Sequence, residues 1–518
     1  MGRTLRNGKT IFQITKQPSD EWQPDADMIW ARNVCENDTQ EGSFQYGKFL
    51  TMTDSESSTT VITIPTSGAV KTSDGSYYTY ATSGSSVTHT WDDTNARQSE
   101  VGNYKVRWLI YYFDMDNVKL DVPIRTLYVC CNGAIKIRMS SNYQYSAFAP
   151  LLKYIELING SYFIGNFSNV DSNIEKIDYV CGTSILNTAF INQNMLKELN
   201  IEPLNNTVRP TNLTSFVGTC RKLQKINGLN SLDVSNVTNM SNMFREDISL
   251  QELDLSNWDT SNVTNASFMF YNCRSLQKIR GIDNWDTSNI TDMNNMFGYI
   301  GTTEINLSNF NTSNATNMSG MFAGWLGTKI NLTNFNTSKV TNMSSMFSTS
   351  LLEEINLSNF DFSSCENMST MFSNNFHLKK IIGLDVSSVT NLYQTFLNCY
   401  LIEELNLNSH NVTNFYNAFS NCENLKTLAL DLNSCQTNFG IFSRCSNLEF
   451  LTLTNIKISI NIASSSKYSR ETLLGIINNL VDLTGQTAQT LTIGSANLAK
   501  LTDEDKQIAT NKNWTLAS

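Results

Sequence analysis

Histidines, paired carboxylates and cysteines carry most protein chemistry, and this 518-residue chain holds them in arrangements that point away from catalysis. The three histidines, His89, His377 and His410, fall in unrelated segments, with neither a His-Glu-x-x-His motif nor triad spacing. Cleavage of a glycosidic bond needs two carboxyls opposed across the substrate. The acidic pairs Asp92-Asp93 and Glu353-Glu354 are instead neighbours in sequence, which reads as acidic loops. No phosphate loop or dinucleotide fingerprint occurs, and no cysteine spacing matches a zinc site. The sequence therefore predicts no catalytic residue, no cofactor and no metal.

Eleven cysteines is an odd number for a disulfide framework. Five of them, Cys220, Cys273, Cys399, Cys422 and Cys445, stand three or four residues after a recurrent Phe. That predicts small buried hydrophobes at one position of a repeat. Cys130 and Cys131, adjacent on a predicted strand, point to opposite faces, so a redox pair is not expected. Trp258, Trp285, Phe310, Phe335 and Phe360 recur at one equivalent position. Exposed, they would form a stripe for stacking on carbohydrate; buried, they would stack on one another at a corner. The buried column is the expectation.

The elements that position these residues come from a repeat. Aligned on Met-Phe, the chain gives Phe244, Phe270, Phe297, Phe322, Phe347 and Phe372, spaced by 25 to 27 residues. Weaker copies extend to Phe148 on one side and Phe442 on the other, for about 13 coils in all. Each unit opens with alternating apolar residues, such as Leu253 and Leu255 or Ile355 and Leu357, the signature of a strand with one buried face. A second apolar set follows, as in Val237, Met240, Met243 and Phe244 or Val340, Met343, Met346 and Phe347. This spacing predicts a short helix, with Thr238 or Thr341 as its N-cap. Between the two lie runs such as Ser308-Asn309-Phe310-Asn311-Thr312-Ser313-Asn314. Short polar side chains bond to nearby backbone, so stacked copies are expected to form polar ladders at the corner.

The run Leu255-Ser256-Asn257-Trp258-Asp259-Thr260-Ser261-Asn262-Val263-Thr264-Asn265, continued by Met269-Phe270-Tyr271-Asn272-Cys273, resembles the BspA-type bacterial surface leucine-rich repeat. The resemblance is strong over about 230–375 and extends over about 140–455. It implies a right-handed solenoid and a role in adhesion or recognition. It also implies a possible place among virion proteins of tailed phages that infect gut bacteria, where such repeats occur.

The expected fold is an α/β repeat solenoid over residues 126–460, strand plus short helix per coil. An all-β domain over 1–125 and an α/β cap over 461–518 flank it. Strand signals at 59–64, 77–80, 87–91 and 104–113 support the first; the second rests on a helix starting at Ser469, a strand at 490–493 and a helix at 503–509. Only 16% of residues are charged, against about 25% in an ordinary globular protein. The net charge of −10 and pI near 5.0 give no basic footprint for nucleic acid. No apolar run follows the N-terminus as a secretion signal would, and none is long enough to span a membrane. The expectation is a non-enzymatic virion protein, assembled in a host cytoplasm. Its N-terminal domain would dock on other structural proteins, and its solenoid would meet a host-surface protein or glycan. The alternatives are a cell-surface adhesin whose signal is missing and, further off, a glycan-degrading spike.

Overall fold

A single repeat has too little apolar surface to fold alone, so successive repeats stack and close one another's faces. In the computed structural model the result is a parallel β-solenoid of about 13 turns. Residues 190–203 and 209–518 are described, together with the strands and a few single positions between 47 and 181. One corridor of core runs the length of the stack, built from Leu, Ile, Met and Phe.

The strand side follows the alternating pattern. Glu198–Pro203 pairs with Lys225–Asn227, Glu252–Asp254 with Lys278–Arg280, Glu354–Asn356 with Lys380–Ile382, and Glu404–Asn406 with Thr427–Asp431 and then Phe450–Thr454. All are parallel and in register, so Leu253 lies beside Ile279 and Leu405 beside Leu428. The ladder is interrupted between Lys225–Asn227 and Glu252–Asp254, between Lys380–Ile382 and Glu404–Asn406, and most widely at Ile305 and Ile330, which join no named strand. A buried leucine precedes the strand in neighbouring coils (Leu250, Leu276, Leu352, Leu378). The Ile305 and Ile330 coils have Gly301-Thr302 and Leu326-Gly327 there instead, and Trp325, 1% exposed, fills the space. Side chains then take backbone groups a ladder would use. The Thr302 hydroxyl donates to the Glu304 carbonyl at 2.6 Å, and the Trp325 indole N–H donates to the Lys329 carbonyl at 3.2 Å.

Among the described residues, the helix expected in each repeat coil is absent. The segment after the corner is a succession of tight turns, and its alternate N–H groups leave the coil altogether. Those of Met240, Asn242, Phe244 and Glu246 donate to the carbonyls of Asn265, Ser267, Met269 and Tyr271 in the next coil. Met243 and Arg245 N–H bond three residues back, to Met240 and Asn242. Two residues per coil, four apart, hold positive φ, as in Asn242 and Glu246, Asn295 and Tyr299, or Ser345 and Thr349. A left-handed residue at every fourth position forbids an α-helix. Apolar residues at i, i+3 and i+7 face inward in a run of three-residue turns as they would on a helix, which is why the spacing misleads. Nor do the threonines cap. The Thr238 and Thr341 hydroxyls donate back to the carbonyls of Thr211 and Thr316. The cap-like acceptors are Asn239 and Asn342, whose Oδ1 atoms receive the N–H of Ser241 at 2.9 Å and Ser344 at 3.0 Å. These asparagines form a second parallel ladder of bridges from Asn212 to Thr437, unbroken through ten coils.

Over residues 47–113 the described strands pair antiparallel. Gly47–Thr53 pairs with both Lys105–Phe113 and Thr126–Asn132, and Thr59–Ile64 pairs with Ser85–Thr90. Thr126–Asn132 then pairs in parallel with Tyr154–Ile158, which pairs with Lys176–Cys181 and so on to Glu198–Pro203. One sheet thus passes from antiparallel to solenoid pairing. At the other end, helix α1 (Arg470–Asn478) starts at Ser469, whose side chain accepts the Thr472 N–H. After α2 (Ser495–Leu498), α3 (Asp503–Asn511) carries a capping box between Thr502 and Asp505. Arg470 grips Asp505 with two bonds of 2.7 and 2.6 Å, tying α1 to α3.

Candidate binding face

The corner carries the polar excess. Asn289 and Asn314 amides donate across to the Ser261 and Ser288 carbonyls at 2.7 and 2.8 Å, each reaching one coil back. Beneath them a column of buried threonines reaches one coil forward. The Thr312 hydroxyl donates to the Asn336 carbonyl and accepts the Asn336 N–H, both at 2.8 Å, and Thr337 treats Asp361 likewise. These ladders satisfy corner backbone that makes no β pairing, as the sequence leads one to expect. The aromatic position is buried too: Trp258 and Trp285 stack at 6.1 Å, and Phe335 and Phe360 at 6.4 Å. That position offers no ring to a ligand.

The cysteines are equally internal. Each of the five repeat thiols is buried and donates to the carbonyl of the Phe one coil back, Cys273 to Phe244 at 2.9 Å and Cys399 to Phe372 at 3.0 Å. Burial pushes the Cys399 and Cys445 thiols up to about 12, well away from reactive thiolate. Cys130 and Cys131 occupy successive positions of Thr126–Asn132. In the same column as the repeat cysteines stands Asp247, fully buried. Its Oδ1 accepts the Cys220 N–H at 2.7 Å, while Oδ2 has no partner. Burial, seconded by the nearby Glu246, raises its pKa well above the usual carboxylate range.

The residues weighed for catalysis are not brought together. His89 lies on Ser85–Thr90 and His377 is exposed in another coil. His410 is exposed, with Nδ1 2.9 Å from the Asp431 carboxylate and Nε2 3.1 Å from the Asn433 amide. Asp92 is exposed, and Asp93 lies outside the described residues. Glu353 pairs with Lys379 at 3.1 Å and Glu354 faces Lys380 in register, so the second acidic pair belongs to a charge ladder. Among the described residues no group of three or more His, Cys, Asp or Glu is placed to hold a metal, and no helix is long and apolar enough to cross a membrane.

Two surface features remain. On the strand face the position ahead of the buried apolar residue alternates in sign: Glu198, Lys225, Glu252, Lys278, Glu304, Lys329, Glu354, Lys380, Glu404. Opposite charges on adjacent strands stabilise the register, and like charges would oppose it. On the turn face, two residues after the ladder position, five of the ten coils place Ser (Ser241, Ser267, Ser319, Ser344, Ser369) and two place Thr214 and Asn294, but three successive coils place Tyr393, Tyr416 and Phe439. These rings stack at 5.3 and 5.6 Å, 14° and 27° from parallel, with Tyr393 exposed, Tyr416 half-buried between its neighbours and Phe439 70% exposed. The sequence reading missed this aromatic row. Its signal is three aromatics spaced by 23 residues at a serine position.

No curated protein matches the chain. Similar solved structures include a leucine-rich cell-surface protein of Faecalibacterium prausnitzii, 17% identical, covering 68% of this chain and 93% of that one with a TM-score of 0.37. A leucine-rich-repeat protein of Eubacterium ventriosum is 14% identical, with coverage of 67% and 90% and a TM-score of 0.34. One from Leptospira interrogans is 13% identical, with the same coverage and a TM-score of 0.18. No residue role is taken from them. Residues 185–281, 277–382 and 352–450 each match one family, and together they span just over half of the chain. The chain therefore belongs to the family described as Mycoplasma protein of unknown function, DUF285.

Proposed function

We propose that this chain is a non-enzymatic binding protein, adhesin-like in action, that presents the Tyr393–Tyr416–Phe439 row to a protein partner. The row carries the reading: three large apolar side chains stand in register on a rigid surface where neighbouring coils keep serine. A preformed face loses little conformational entropy on binding. Stacking on a sugar needs an open ring face, and Tyr416, stacked between Tyr393 and Phe439, offers none; only the outer ring Phe439, 70% exposed, is widely open. A row that offers mostly stacked edges suits a protein surface, which can cover its whole length.

The test is binding of the purified chain to a panel of bacterial and animal cells, read by flow cytometry. Tyr416→Ser with Phe439→Ser installs the residue other coils tolerate, so the fold is kept while binding is expected to drop at least tenfold. Protease treatment of the cells should abolish binding and periodate should spare it; the reverse would make the partner a glycan. Binding unchanged by the double substitution would overturn the reading. The location favoured is the bacterial cell surface. A virion location, with residues 1–125 docking on other structural proteins, is the competing outcome, decided by mass spectrometry of purified phage particles against cell envelopes.

A further inference from the structure

A second surface, seven residues further along each coil than the aromatic row, has a symmetry of its own. Two residues after the second left-handed residue, four successive coils place an apolar side chain: Leu326, Leu351, Phe376 and Tyr400. The first three are 39%, 38% and 46% exposed, Tyr400 is half-buried, and Phe376 and Tyr400 stack at 5.5 Å. The ridge is bounded by Gly301 in the coil before and Glu423 in the coil after. Three or four residues further along each coil runs the alternating charge ladder of the strand face.

We propose that this ridge is the centre of a two-fold interface with a second copy of the same chain. In an isologous pair the same patch meets itself, and the axis maps each coil of one copy onto a coil of the other. The charge ladder reverses sign at every coil. An axis passing through a coil would set Glu against Glu and Lys against Lys. An axis passing between two coils sets opposite charges together along the whole contact. The ridge has four members, so its midpoint falls between the Leu351 and Phe376 coils, one of the between-coil positions that the charges allow. That axis pairs Leu351 with Phe376 and Leu326 with Tyr400 across the copies, and brings Glu354 opposite Lys380 and Lys329 opposite Glu404. A ridge of three or five would have centred on a coil and opposed like charges. Length of ridge and phase of charge are independent features of the sequence, and they agree on one register.

The full chain is therefore expected to sediment as a dimer that dissociates on dilution. Phe376→Ser, which installs the residue the Ser446 coil carries at that position, should shift the equilibrium toward monomer by about tenfold. Phe376→Glu should do so by roughly a hundredfold, since each symmetric interface would bury the new charge twice. Unchanged circular dichroism separates either loss from misfolding. Lys329→Glu alone and Glu404→Lys alone should each weaken the dimer, and the two together should restore it, because the axis brings these positions together across the copies while a single chain holds them three coils apart. A monomer at every concentration, a dimer indifferent to Phe376→Glu, or a double charge variant no tighter than the singles would overturn the proposal. None of these residues belongs to the Tyr393–Tyr416–Phe439 row, so the two readings fail separately.

Discussion

At the scale of single residues, Asp247 is the exception in a column otherwise filled by thiols and small or neutral groups. Its carboxyl has one bond and one bare oxygen in full burial. The structure holds the same device elsewhere in neutral form, where Asn375 Oδ1 accepts the Ser350 N–H at 2.7 Å and its hydroxyl at 2.8 Å. Because the folded pKa of Asp247 lies above its unfolded value of about 4, its contribution is intact at acid pH and lost as pH rises through the folded value. Asp247→Asn should therefore raise the melting temperature at pH 8 and have a shrinking effect toward pH 4, as differential scanning calorimetry would record. Residue roles were unequally legible in the sequence. The buried thiols and the corner aromatics follow from repetition alone, since a residue kept at one position of every coil is most simply a packing residue. The Tyr393 row departs from a serine position in only three coils, and repetition hides a departure of that kind.

At the scale of the element, what replaces helix is a ladder of turns whose core is a column of rings. From Phe244 to Phe442 the phenylalanines stack at 5.4 to 6.2 Å, within 18° of parallel. Strand and corner were legible because period two and short polar runs each have one structural meaning. The turn segment was not, because beside the Asn and Gly that favour positive φ, residues as varied as Thr219, Glu246, Phe268, Tyr299 and Arg444 occupy its left-handed positions, and Asn is too common elsewhere in the repeat to mark them. The corner hydroxyls give an element-scale prediction. Thr312→Val keeps shape but strands the Asn336 N–H and carbonyl, each of which is bonded at 2.8 Å. It should cost about 1–3 kcal/mol in urea unfolding, and Thr312→Ser much less.

At the scale of the molecule, the two ladders part company. The asparagine ladder runs unbroken through ten coils, while the strand ladder opens at several places, Ile305 and Ile330 the widest of them. Long solenoids behave as chains of neighbouring units, each stabilised by the interface with the next. The alternating strand-face charge makes those units unequal to any insertion or loss. Deleting residues 317–341, one coil, removes Lys329 and brings Glu304 beside Glu354. Deleting 317–366, two coils, removes Lys329 and Glu354 and leaves Glu304 beside Lys380. Urea unfolding should show the shorter deletion losing more stability per coil than the longer one, and the opposite order would mean the charges carry no register. The heritable quantum of this protein is then a pair of coils: copying or losing about fifty residues preserves its pattern, and a slip of one coil leaves a scar that later substitution must mend.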